Sequence, residues 1–316
     1  MLAEKTLGKT RPQSLPVKQA IKLFIEDKRL RRRARTVEDY EYVLNRHFSL
    51  PGQVEDVSFT ELSRRLDRLK TASAYNHTLA AGRAFFNWCL KRRFITQSPL
   101  MGLSPRPTSS RSRVLSSDEL KAVWMASAEC GQFGSIVKLL ILTGQRRGEI
   151  SALRSNFFSS DLCTLPASLT KNGREHTFPI GALAAAIIKG IKPNSHAYLF
   201  PARGKPHLSF NGWSKGKAEL DKLSGVTGWT LHDLRRTFAT HLAEMSVAPH
   251  VIEKLLNHVT GAISGVAAIY NRHRYEKECR QAIAAWNAKI GALVGAATVT
   301  KSNGKYVQLD GDPIGL

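Results

Sequence analysis

Thr230 to Leu242, TLHDLRRTFATHL, is the stretch whose reading decides the rest of the chain. Thr230 with Asp233 three residues on is the signature of a helix start, a hydroxyl cap answered by a carboxylate. That start places His232 and Arg235 at i and i+3, so one helical face carries an imidazole and a guanidinium. The N-terminus of a helix already attracts anions through its unpaired N–H groups, and a phosphate is the natural guest for such a face. Arg236 reads as an anion or salt-bridge contact and His241 as a packing residue.

A second basic element lies upstream in LLILTGQRRGEISAL, residues 139–153. The apolar run ends at Thr143-Gly144, where a glycine can close a helix, and the next helix opens soon after. Arg146 then projects from the turn while Glu149 falls in the first helical turn, placed to support the local turn or Arg146. Between these two elements, LCTLP at 162–166 and SLTKNGREHTFPI read as a β-hairpin whose turn is Lys171-Asn172-Gly173. A turn lysine is ordinarily just exposed, and taken alone Lys171 says little. Downstream, VIEKLLNHV puts His258 at the end of a helix primed by Pro249, and GVAAIYNRHRY supplies Tyr270 and Tyr275. His176 and Trp229 read as structural.

Charge says what such residues would meet. The chain has 316 residues, with 47 Lys and Arg against 25 Asp and Glu, a formal charge of +22. Both the first hundred residues and the remainder are net positive, so the excess is not confined to a tail, and nucleic acid is the partner it favours over a mere surface of solvated lysines. Lys28, Arg29, Arg31, Arg32, Arg33 and Arg35 crowd into KRLRRRAR, which serves either as a phosphate clamp or as a solvated turn. The four cysteines, Cys89, Cys130, Cys163 and Cys279, have no paired spacing, so neither a disulfide framework nor a zinc knuckle is expected. No signal peptide opens the chain and no stretch is expected to span a bilayer, so a cytoplasmic location is anticipated.

The organisation follows from periodicity and breaks in it. Residues 1–14 read as a flexible segment and 15–96 as a four-helix module, its second helix capped by Thr36 with Asp39 in the box position. The stretch QSPLMGLSPRPTSSRSRV has no period and marks a linker over 97–113. A second domain, 114–293, opens with the capping box Ser116 and Glu119 and mixes helices with a little strand. In its last helix Cys279, Ile283, Trp286 and Ile290 share one face, suited to its own core or to a neighbour's. Residues 294–316 read as a tail. The fold class is thus mainly α with a small antiparallel β-sheet.

In order and spacing, TGQRRGE, TKNGREH, HDLRRTFATHL, LLNH and IYNRH resemble the catalytic motifs of the tyrosine recombinase or phage integrase family. The resemblance covers residues 114 to about 290, and the preceding helical module resembles that family's core-binding (SAM-like) domain. It implies that Arg146 and Arg235 grip the scissile phosphate, Lys171 is the hairpin lysine, His232 and His258 fill the two histidine positions, and Tyr270 is the nucleophile. Arg31, Arg32, Arg33, Arg35 and Arg236 become DNA contacts. Two departures stand out: Asn257 where the family more often has Gly, and a longer run from His258 to Tyr270, which leaves Tyr275 as a rival nucleophile.

The same resemblance implies a metal-free, cofactor-free mechanism. Two arginines meet the non-bridging oxygens with forked donors, His232 takes the phenolic proton, and Lys171 protonates the departing 5′ oxygen. A 3′-phosphotyrosine conserves the bond energy, so rejoining needs no ATP. The implied partners are double-stranded DNA bearing attachment sites, three further copies of the chain in a tetramer, and accessory excision or DNA-bending proteins. A bacterial or phage-encoded enzyme of the nucleoid, integrating or excising a mobile element, is the function anticipated. A type IB topoisomerase and a non-catalytic DNA-binding regulator derived from a recombinase are the other two readings.

Overall fold

The computed structural model describes residues 15–109, 111–191, 197–258, 273–295, 299–302 and 305–308. The chain is mostly helical with small antiparallel sheets, and it divides into two units, one reaching Arg111 and one beginning at Ser112. The N-terminal segment 1–14 and Tyr270 lie outside the described residues.

The first unit is built from α1 (Val17–Arg29), α2 (Ala34–His47), α3 (Phe59–Asp67) and α4 (Ala72–Lys91). Val17, Ala20, Ile21, Phe24 and Ile25 recur at helical spacing along α1, and all are buried. Phe24 meets Tyr40, Phe85 and Trp88 edge-on at 5.4, 5.6 and 5.7 Å between ring centres, so one ring ties three helices. Ser58 and Thr71 cap α3 and α4, accepting from the N–H groups of Glu61 and Ala74. The cap expected at Thr36 is not used: α2 starts three residues earlier than that cap would place it, with Arg33 at its N-cap and no side-chain bond there. The amide groups of Thr36 and Val37 both donate to the Arg33 carbonyl, which places Thr36 inside the first turn.

Part of the expected linker packs on this unit. Asn76 donates to the Arg106 carbonyl at 2.8 Å and accepts from the Arg106 amide at 2.7 Å. The Arg106 guanidinium lies 4.0 Å from the Tyr75 ring centre, and Leu100 is buried beside Phe48 and Gly82. An aperiodic sequence is therefore fixed here by an asparagine that imitates a strand partner and by one apolar anchor.

The second unit opens with α5 (Ser117–Ala126), whose capping box is formed by Ser116 and Glu119. Next come α6 (Gly131–Thr143) and α7 (Arg147–Ser151). A three-stranded antiparallel sheet follows, β1 (Phe158–Ser159), β2 (Leu162–Leu165) and β3 (His176–Pro179), with Leu165 opposite His176. After α8 (Ala182–Lys189), β4 (Pro201–Ala202) pairs with β5 (Lys205–Ser209). The remaining helices are α9 (Trp213–Ser224), α10 (Leu231–Glu244), α11 (Pro249–Leu255) and α12 (Glu276–Val294).

The central element is α6, buried on nearly every side. Its apolarity gives the helical run Ser117–Thr143, 27 residues, the length and composition of a membrane-crossing helix, a pattern that a buried core helix also shows. Half of that window is buried inside the protein, and Gly131, at φ +50°, separates α5 from α6. Cys279, Ile283, Trp286 and Ile290 of α12 are all buried in the same core, and the Trp286 indole donates to the Ile141 carbonyl at 2.9 Å. The apolar face of α12 thus packs on its own chain. In the expected tail, β6 (Val299–Ser302) and β7 (Lys305–Gln308) pair as an antiparallel hairpin.

Candidate active site

Gly144 ends α6 in the left-handed region at φ +64°, and a Cβ there would lie 2.4 Å from the Phe238 ring. Only glycine meets both conditions without rearrangement. The chain turns, and Arg146 becomes the N-cap of α7. The buried Glu149 carboxylate holds Arg146 at both ends: one oxygen accepts from its backbone N–H at 3.1 Å, the other from its guanidinium at 3.0 Å. The adjacent Arg147 is exposed, with its guanidinium 5.3 Å from the Trp213 ring centre. Two neighbouring arginines are thereby assigned different partners.

Arg235 and His232 stand on α10. The Thr230 amide donates to Asp233 at 2.8 Å, closing the predicted cap, and Arg236 is ion-paired to the other Asp233 oxygen. Arg235 is only 4% exposed. It donates to the Gly144 carbonyl at 2.8 Å and to the Leu256 carbonyl, so it bridges the Arg146 turn and the end of α11. A guanidinium has five N–H groups, and two such bonds leave donors for a phosphate. Burial, then the neighbouring Arg146, pushes Arg235 down to about 9, which still leaves it protonated at neutral pH.

The C-terminal carbonyls of α11 organise the remaining groups. Leu255 accepts from Gln145 at 2.8 Å and lies 3.1 Å from the His176 Nε2, while Leu256 accepts from Arg235. Asn257 follows at φ +51°, its N–H reaching the Lys254 carbonyl, and the His258 N–H reaches Glu253 at 3.0 Å. This is the Schellman ending, in which a residue in the left-handed region satisfies the last carbonyls. The position favours glycine and tolerates asparagine, which accounts for the departure noted at Asn257.

His232 and His258 are both exposed to solvent. Loss of hydration against the protein lowers both from the ordinary 6.5, and Arg235 is the next cause for each. Arg146 depresses both as well, and His232 depresses His258. Arg146, His232, Arg235 and His258 therefore share one electrostatic environment. Lys171 is exposed in the turn between β2 and β3, and its neighbour Asn172 is bonded to Asn257. Arg31, Arg32, Arg33 and Arg35 lie exposed on the first unit.

His176, which the sequence alone marks as structural, belongs to the same environment. Burial, then the cations Arg235 and Arg146, outweigh its bond to Leu255 and take it to about 4. Strand alternation carried the signal, since His176 and Phe178 point the same way and stack at 5.1 Å. Tyr275 is the N-cap of α12 at φ +52°, its ring against His250 and His273 at 4.5 and 4.6 Å. Among the described residues no three His, Cys, Asp or Glu side chains gather as a metal site would require.

The fold is that of integrase structures. A lambda integrase fragment, residues 75–356, solved as a dimer bound to a COC′ core site, superposes with a TM-score of 0.64 at 18% identity, covering 80% of this chain and 98% of that one. The Tn1549 transposon integrase, in complex with circular intermediate DNA, superposes with a TM-score of 0.56 at 14% identity over 83% of this chain and 98% of its own. The chain belongs to the Phage integrase family, whose model matches residues 113–277.

Among curated relatives, Prophage integrase IntA of Escherichia coli (strain K12) is 33% identical over 145 residues, 45% of this chain and 34% of that protein. Tyrosine recombinase XerC of Xylella fastidiosa (strain M23) is 25% identical over 197 residues, 60% of this chain and 67% of its own. The match thus spans about a third of the prophage integrase and two thirds of the XerC protein.

Proposed function

We propose that this chain is a tyrosine-type site-specific DNA recombinase that acts in the cytoplasm, cutting and rejoining DNA through a 3′-phosphotyrosine at Tyr270. One observation carries the reading: two arginines and two histidines from three separate segments share one site, bridged by Arg235 between Gly144 and Leu256. A phosphodiester in that place meets two permanent cations, and the removal of one such preorganised donor costs roughly 3–4 kcal/mol of transition-state stabilisation. His232, held neutral, accepts the phenolic proton; Lys171 returns one to the 5′ oxygen; His258 bonds the phosphate. Glu149 positions Arg146.

The identity to a prophage integrase, higher than that to XerC, favours integration or excision of a mobile element. A lambda integrase neighbour was solved as a tetramer bound to a Holliday junction, and by that analogy four copies of this chain assemble on two duplexes. Both units carry arginines for the backbone, Arg31, Arg32, Arg33 and Arg35 on one and Arg236 on the other.

Nicked suicide duplexes made from the DNA flanking the gene test the proposal. The native chain and Tyr275→Phe become covalently attached, and Tyr270→Phe does not. An adduct that persists in Tyr270→Phe and disappears in Tyr275→Phe reverses the nucleophile assignment. A native chain that binds these duplexes tightly and never attaches is the non-catalytic regulator.

A further inference from the structure

Asn172 and Asn257, 85 residues apart, form a reciprocal amide pair. The Asn172 Nδ2 donates to the Asn257 side-chain oxygen at 2.7 Å and to its carbonyl at 3.3 Å, and the Asn257 Nδ2 donates back at 3.4 Å. The Asn172 oxygen also accepts from the Arg174 amide at 3.2 Å. One side chain thus ties its own turn together and fastens that turn to the end of α11.

We propose that this pair is a positioning device for the proton-donating lysine: it holds the Lys171 turn against the His258 turn so that the ammonium group reaches the leaving oxygen. The inference rests on the recombinase reading of Lys171 and His258 above. Lys171 is one residue from Asn172, and His258 is one residue from Asn257. The loop from Pro166 to Glu175 that carries Lys171 is long for a hairpin connection, and an exposed lysine on such a loop samples many positions.

The backbone argues that the Asn257 side chain has a purpose beyond ending the helix. A left-handed residue is needed there, and glycine adopts that conformation without steric cost. Asparagine incurs that cost, and what it supplies in return is an amide matched to Asn172 in both directions. Asn257 is therefore a positioning residue acting through Lys171, with no contact to the reacting atoms required of it.

In the cleavage step the Tyr270 oxygen forms a bond to phosphorus and the bond from phosphorus to the 5′ oxygen breaks. The phenolic proton passes to His232, and the Lys171 ammonium gives its proton to the leaving oxygen. An alkoxide leaves poorly unless it is protonated, whereas a thiolate leaves unaided because a thiol has a pKa of about 8.5. Replacing the bridging 5′ oxygen with sulfur therefore removes the need for the acid and for anything that positions it.

The experiment uses the full chain and matched suicide duplexes with either 5′ oxygen or 5′ sulfur at the scissile bond, reading single-turnover adduct formation. Asn172→Ala and Asn257→Gly, the latter keeping the helix end, should each slow the oxygen substrate on the order of 10- to 100-fold, the cost of a misplaced catalytic group. On the sulfur substrate both should return to within a few-fold of the native rate. Asn257→Asp, which still accepts from Asn172, should recover part of the loss, and the double variant Asn172→Ala/Asn257→Gly should be no slower than the worse single one.

Native rates on oxygen for both single variants would overturn the proposal, and so would equal losses on the two substrates. Lys171→Ala separates the layers. If it is rescued by sulfur while the asparagine variants are not, the pair has no positioning role and the lysine assignment stands. If Lys171→Ala itself gains nothing from sulfur, the lysine is not the acid and the purpose proposed for the pair falls with it.

Discussion

The guanidinium of Arg235 donates to the carbonyl of Gly144 at 2.8 Å, so the helix that bears one arginine and the turn that presents the other are joined. A second bond to Leu256 uses the fork of the same group. Lysine offers a point charge on a flexible stem and cannot reproduce both contacts. Arg235→Lys should leave at least one buried carbonyl unpaired, a loss of about 1–3 kcal/mol in urea unfolding, along with most of the cleavage activity. A variant as stable as the native chain would show that these bonds carry no structural weight.

Gly144 and Gly148 make a matched test of the same turn. Alanine at 144 meets the Phe238 ring and a left-handed backbone, together roughly 2–5 kcal/mol. At 148, within α7, a Cβ meets nothing within 4 Å, so Gly148→Ala should be neutral or stabilising by about 0.5–1 kcal/mol. Thermal unfolding should therefore place Gly144→Ala well below the native chain and Gly148→Ala at or above it. Similar melting temperatures for both would contradict the packing described at Gly144.

Much of this site was legible because its chemistry sits on local signals. The Gly144 stop, the Thr230 and Asp233 cap and the Ser116 and Glu119 box are each short-range patterns, and each formed where expected. What sequence could not supply were contacts between distant segments. Arg235 bridging residues 144 and 256, His176 turning inward beside them, and Asn172 meeting Asn257 all depend on tertiary placement. α2 begins ahead of Thr36, a residue suited to capping, because Ala34 and Arg35 extend the helix equally well. Residues 97–106 lacked a period because Asn76 and one buried leucine, with no repeat, hold them.

His176 makes stability depend on acidity. Its unfolded value is near 6.5 and its folded value about 4, so between these the unfolded chain binds the extra proton. The stabilisation from keeping it neutral is fully present above pH 6.5 and disappears as pH falls towards 4, about 3 kcal/mol in all. His176→Gln retains a donor for Leu255 without the titration. Urea midpoints from pH 7 to 4.5 should fall less steeply for this variant, and parallel slopes would rule out a buried neutral imidazole.

The arginine turn of the first unit makes an ionic prediction. Arg31, Arg32 and Arg33, between α1 and α2, and Arg35, in the first turn of α2, are all exposed, although Asp27 lies 3.6 Å from the Arg31 guanidinium. Each phosphate contact contributes about 0.9 to the slope of log affinity against log salt. Replacing all four with alanine should lower that slope by roughly 2–4 and weaken binding to any duplex alike. An unchanged slope would make the cluster a solvated turn.

Two substitutions that avoid both histidines decide which one is the base. His232 and His258 are each lowered from 6.5, first by burial and then by Arg235, so both are mainly neutral at pH 7. Cleavage should therefore be flat near neutrality and fall tenfold per pH unit only below the ordinary histidine range. Arg236 is among the cations that lower His232 and is absent from those acting on His258; Glu253 raises His258 and has no part in His232. If His232 takes the phenolic proton, Arg236→Ala moves the acid limb of the profile to higher pH and Glu253→Gln leaves it nearly in place. If His258 takes it, Glu253→Gln moves the limb to lower pH and Arg236→Ala does little. Single-turnover adduct formation measured from pH 5 to 8 on one suicide duplex reads both shifts, and the second pattern would transfer the role of base from His232 to His258.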